Sequence, residues 1–190
     1  MKPKTIIFAV LAMGMLAIQG FAQDPNVINH PGFVNLDEIP IPPDAAEVTE
    51  VDIGPDLLGG MASMFSGEAH EEIGKELEGF LSIRVKTFNI DSMMTLKLRP
   101  VMEKMEQRLN RENWKNIVRI RKGREMTNVS IKYDKAHKKP MGLFIMSVEP
   151  GCEASFVNIV GSVDLGKLSQ MGIDMNPNAL DSLKDVMEEK

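Results

Sequence analysis

The sequence holds one Cys, one Trp, one Tyr and three His in 190 residues. One Cys excludes an internal disulfide framework and any zinc or iron–sulfur site that needs several thiolates. His30, His70 and His137 are widely spaced, so only tertiary folding could gather them around a metal. Only Trp114 and Tyr133 could supply stacking faces, too few for a sheet that reads RNA bases. Beyond the N-terminus no apolar run is long enough to span a bilayer as a helix. Catalytic motifs are missing as well. His70-Glu71-Glu72-Ile73-Gly74 opens like a zinc-protease helix, but Gly74 stands where the second His belongs, and Gly binds no metal. Glu71, Glu72, Glu76 and Glu78 offer no pair of carboxyls held across a cleft in unlike environments, which glycoside hydrolysis requires.

What is present begins with a leader. Lys2 and Lys4 form a positive start, Ile6 to Ile18 is a 13-residue run without charge, and Gly20-Phe21-Ala22 supplies small residues before Gln23. These are the three parts of a secretory signal peptide over residues 1–22. No Cys follows the apolar run, so lipid attachment of the bacterial lipoprotein kind is closed to this chain. The expected mature protein is exported through the inner membrane, periplasmic or secreted, with no transmembrane span. Its charge is segregated: residues 24–78 carry net −12, residues 79–140 net +10 and residues 141–190 net −5. Either the chain neutralises itself on folding or it keeps a basic face for a partner.

Residues 23–46 contain Pro25, Pro31, Pro40, Pro42 and Pro43, which argues against helix and central strand and for an extended strap. Phe33, Val34, Leu36 and Ile39 give that strap something to bury. Residues 47–172 are expected to form a single domain, and residues 173–190 a C-terminal helix or tail. Val48, Val51 and Ile53 suit a short strand. Pro55-Asp56 opens a helix with Leu57, Leu58, Met61, Met64 and Phe65 as its apolar face. The stretch 68–78 reads as a short acidic helix. In Phe80 to Ile90, Leu81, Ile83 and Val85 alternate with Ser82, Arg84 and Lys86, the pattern of a strand with one wet side. Pro100 is placed as the opener of a helix carrying Val101, Met102, Met105 and Leu109. Strands then follow over 114–121, 126–133, 141–148 and 154–163, with Gly123, 137–140 and Pro150-Gly151 as turns. Short turns between successive strands imply an antiparallel meander. Asp164 caps a short helix, and Leu180, Leu183, Val186 and Met187 form the face of a last one. The fold class is α+β: a mostly antiparallel sheet of about five or six strands, with helices packed on one face.

The blocks His30-Pro31-Gly32-Phe33, 47–54, Trp114 with Val118-Arg119-Ile120-Arg121, Gly142-Leu143-Phe144-Ile145 and 157–165 resemble a bacterial family known as domain of unknown function 4252. The last block is the most specific. The resemblance implies an exported protein with a signal or lipoprotein leader and no established activity. It also implies genes kept near sigma-factor and anti-sigma-factor genes, hence a link to envelope signalling. It brings no catalytic residues, and the missing lipid-attachment Cys is a departure from it.

Arg119, Arg121, Lys122 and Arg124 form the densest basic run, with Lys135, Lys138 and Lys139 one turn later. They make a candidate face for an anionic envelope component or an envelope protein; export argues against nucleic acid. No residue is assigned to catalysis, to a cofactor or to a metal. The reading is an exported, non-enzymatic binding or regulatory module of the bacterial envelope. The alternative is an enzyme or copper carrier using Cys152 or the Met and His residues. Glu149 and Glu153 flank Cys152 and would raise its pKa, which works against a nucleophile. The pairs Met61/Met64 and Met102/Met105 sit on apolar helix stripes, where Met fills core gaps.

Overall fold

A computed structural model describes residues 24–43, 45, 47–64, 77, 79–136 and 139–162. The residues expected to form a leader, the acidic stretch apart from Leu77, His70, His137, Lys138 and the helices expected after Asp164 lie outside the described residues. The elements are α1 (Pro25–Ile28), a 3-10 turn (Leu36–Glu38), β1 (Val48–Ile53), α2 (Pro55–Met64), β2 (Phe80–Asn89), α3 (Ser92–Arg111), β3 (Trp114–Lys122), β4 (Glu125–Tyr133), β5 (Pro140–Glu149) and β6 (Glu153–Gly161). No described helix is long and apolar enough to cross a membrane.

The six strands form one sheet in the order β1-β2-β6-β5-β4-β3, and every neighbouring pair is antiparallel. The meander from β3 to β6 follows from its turns. Lys122 pairs with Glu125 across a two-residue turn whose first residue, Gly123, has φ 64°, as a primed hairpin turn requires. Gly151, at φ 74°, serves the β5–β6 turn. β6 then lies against β2, and β1 closes the edge.

Period-2 alternation sends the strand residues to two faces, each with its own core. On one face Phe88, Trp114, Phe144, Met146, Val148, Ala154 and Phe156 pack under α3 and the strap residues Val34, Leu36 and Ile39. On the other, Ile53, Val129, Ile131, Leu143 and Ile159 pack under Leu58 and Ala62 of α2 and under Leu77. The α+β class and the antiparallel sheet stand as expected. The placement of both helices on one face is corrected: α2 and α3 take opposite faces. α3 must cross from β2 to the far edge at β3, whereas α2 folds back directly from β1.

Two local expectations also change. Pro100 lies inside α3 and does not open it. The helix starts eight residues earlier because Asp91 caps it, its Oδ1 accepting from the amides of Met93 at 2.8 Å and Met94 at 2.6 Å. Pro100 is tolerated because it faces solvent, as does Leu96, whose carbonyl loses its partner one turn back. In β3 the uniform alternation is broken by a bulge between Asn116 and Val118. Trp114 and Asn116 face α3; past the bulge that side is taken by Arg119 and Arg121.

The inverted face of β2 matters most for function. Ser82, Arg84 and Lys86 were expected on the wet side, yet they lie on the more buried one, with Phe88 further along the same face. The strap covers them.

Candidate functional site

The strap is fastened by a buried amide. Asn158, 0% exposed, accepts from the Val34 amide at 2.8 Å and donates to the carbonyls of Gly32 at 3.0 Å and Leu143 at 3.1 Å. Ahead of it, His30 Nδ1 accepts from the Gly32 amide at 3.1 Å. Partial burial pushes the His30 imidazole below its ordinary pKa, because the charged form loses hydration there.

Beneath the strap the acidic and basic blocks of the sequence meet. Register places Asp52 opposite Arg84 and Glu50 opposite Lys86. Arg84 Nε donates to Asp52 Oδ2 at 3.0 Å, and Lys86 Nζ lies 2.9 Å from Glu50 Oε1. From the strap, Asp37 Oδ1 accepts from Arg84 Nη2 at 3.3 Å, and the Phe33 ring lies 5.6 Å from the guanidinium carbon. Glu38 pairs with Arg108 of α3, which also donates to Glu112 at 2.9 Å. Arg84 is 7% and Lys86 5% exposed, so these charges depend on their partners. The satisfaction is incomplete: Arg84 Nη1 and Ser82 Oγ are buried with no hydrogen-bond partner among the described residues. Each such group costs about 1–3 kcal/mol. Two clefts flank Arg84, one of about 240 Å³ beside Lys86, Glu50 and Asp37, the other of about 270 Å³ beside Ser82 and the start of α2.

The expected basic run sits elsewhere, at the β3–β4 hairpin. Arg119 and Arg121 share a face, as their spacing requires, and that face is the α3 side. Arg119 pairs with Glu106 of α3. Arg121, Lys122 and Arg124 are exposed at the hairpin end and have no ion-pair partner among the described residues. Lys135 and Lys139 belong to the β4–β5 turn, one strand length away, about 26 Å for the nine residues of β4. The two clusters therefore do not merge. Asp37, Glu50, Asp52 and Ser82 were not singled out from the sequence. The signal available was the charge-matched alternation of Glu50-x-Asp52 with Arg84-x-Lys86.

The residues of the alternative reading are dispersed. Met102 and Met105 are buried among Leu98 and Leu109 in the α3 core, while Met64 is exposed on α2. Cys152 is exposed in the β5–β6 turn, its carbonyl accepting from the Ile90 amide at 3.2 Å. Among the described residues no group of three or more His, Cys, Asp or Glu side chains could hold a metal ion.

An antiparallel sheet with one long crossover helix and an N-terminal strap laid over buried charges defines a strapped α+β sheet domain. Residues 43–171 match the family described as Domain of unknown function (DUF4252), and the chain belongs to that family. The match starts after the His30–Phe33 block, so the strap's anchor lies outside it. Comparison with curated proteins and with solved structures gives no match.

Proposed function

We propose that this chain is an exported, non-enzymatic binding or regulatory module of the bacterial envelope. Its partner-facing end is the β3–β4 hairpin. The observation that carries this reading is which cations are already engaged. Arg84, Lys86, Arg108 and Arg119 each face a carboxylate, whereas Arg121, Lys122 and Arg124 remain exposed and unpaired among the described residues. Self-neutralisation thus accounts for the charge under the strap but leaves a small positive end. A two-residue turn joins the paired strands there, and a short connection leaves less chain entropy to lose on docking. An acidic surface of an envelope protein or an anionic envelope component fits it.

The test is crosslinking in the native cell, comparing the wild type with Arg121→Glu/Arg124→Glu. Both side chains are exposed, so the variant is expected to fold normally and to lose its crosslinked partner. An unchanged crosslinking pattern would show that the hairpin is only solvated.

A further inference from the structure

The cleft of about 270 Å³ runs between the start of the strap and the start of α2. Asp24, Val27 and Phe33 form its strap wall, Asp56 and Leu57 its helix wall, and Ser82, Arg84 and Asp52 its floor. The two buried donors without partners among the described residues, Ser82 Oγ and Arg84 Nη1, belong to that floor. Two other such atoms, Trp114 Nε1 and Asn116 Nδ2, are on β3 and line neither cleft. We propose that this cleft binds a small polar molecule carrying an uncharged oxygen acceptor and an amino group, the pattern of an amino sugar.

Ser82 and Arg84 are alternate residues of one strand and share a face, so both donors can address one ligand oxygen. That oxygen must be uncharged. Arg84 already answers Asp52 and Asp37, and Asp24 and Asp56 add two more carboxylates with no further cation in the lining. An anion would meet net repulsion, whereas an ammonium would be attracted. Asp56 is exposed and has no partner among the described residues, so it is the acceptor free to take the amine. Asp24 keeps one oxygen on the Asn26 amide at 2.8 Å and can turn the other to the cleft. Val27, Phe33 and Leu57 give the apolar edge that the C–H face of a sugar ring packs against. At about 270 Å³ the cleft is of a size for one small molecule such as a monosaccharide. Solvent does not reach the two donors in the present arrangement, so binding requires α1 to move outward for a ligand to meet them. The strap can yield there because its fastening by Asn158 starts only at Gly32.

The experiment is a titration of the protein with glucosamine, glucose and glucuronate, followed by backbone amide NMR. Glucosamine is expected to give saturable shifts at Ser82, Arg84 and Asp56. Glucose should bind about tenfold more weakly and glucuronate not at all, the amine–carboxylate contact being a charge-assisted hydrogen bond. Asp56→Asn, an exposed change, should reproduce the glucose affinity with glucosamine. Ser82→Ala should weaken binding while keeping or raising the melting temperature, because it removes a buried hydroxyl that lacks a partner. If the donors are met by ordered water only, no sugar gives a saturable shift, and the proposal falls. It falls equally if glucuronate binds as well as glucosamine.

Discussion

Gly32 of the strap and Gly142 of β5 lie backbone against backbone. A Cβ on Gly32 would stand 2.2 Å from the Met141 carbonyl oxygen, and a Cβ on Gly142 would stand 2.6 Å from the Gly32 Cα. Neither position has room for a side chain. The close approach also brings the Gly32 carbonyl within reach of Asn158, so packing and hydrogen bonding meet at the same point. The strap is held there by main-chain contact, ahead of its apolar anchors Val34, Leu36 and Ile39.

Gly32→Ala and Gly142→Ala should therefore each lift the strap. The obstructing atoms are backbone, which cannot rotate away, so the cost should be at least the 1–3 kcal/mol or so of ordinary overpacking. Gly59→Ala is the contrast: Gly59 lies within α2, and a Cβ there meets nothing within 4 Å. It should raise stability by up to about 1 kcal/mol through helix propensity alone. Thermal unfolding of the three variants checks the opposite signs.

Asn158→Ala would strand three buried groups at once, the Val34 amide and the carbonyls of Gly32 and Leu143. A loss of about 3 kcal/mol or more is expected, since each stranded group carries its own desolvation cost. Asn158→Asp should be no better. Its carboxylate can still accept from Val34 but faces two carbonyl oxygens without a proton to offer. Amide exchange at Val34, measured beside global stability, separates strap release from unfolding. Exchange that stays slow in both variants would contradict the clamp.

The strands were legible because each is a local pattern. Trp114, Tyr133, Val148 and Ala154 fall inside the strands expected around them, and the turns at Gly123 and Gly151 mark the meander. The faces of β2 were not legible, because nothing in Phe80 to Asn89 says what will cover it. Alternation tells polar from apolar, but here the polar side is buried by a strap more than 40 residues upstream in sequence. The start of α3 was not legible from Pro100, because proline suits a first helical turn but here stands eight residues past Ser92, which follows the Asp91 cap, on the exposed side of the helix. The basic run was legible as a cluster on one hairpin. That Arg119 is engaged while Arg121 and Arg124 are not depends on where α3 crosses, which no short window of sequence reveals.

The ion pair under the strap should behave as a buried pair. Removing Asp52 by Asp52→Ala leaves the Arg84 guanidinium with only the longer Asp37 contact, and about 3 kcal/mol of stability should go with it. The double change Arg84→Met/Asp52→Leu should recover most of that loss, because an apolar pair needs no desolvation of charge. A denaturant series on the single and double variants yields the coupling directly. If the double variant is no more stable than Asp52→Ala, Arg84 contributes through packing on Phe33 more than through charge.

Acid should loosen the strap at His30. The folded imidazole titrates below its ordinary value near 6.5, so near that pH the unfolded chain binds more protons than the folded one. Stability from this group is then fully present above about pH 6.5 and is lost as pH falls through the lower folded value. The geometry gives the same sign: a proton on Nδ1 takes away the acceptor that the Gly32 amide uses at 3.1 Å. Amide exchange at Gly32 and Val34 should accelerate between pH 7 and pH 5, after correction for intrinsic rates, while amides of β4 and β5 stay protected. His30→Ala should remove the pH dependence and leave exchange at the two strap amides fast throughout. A strap that exchanges at one corrected rate across that range in the wild type would mean that His30 does not hold it.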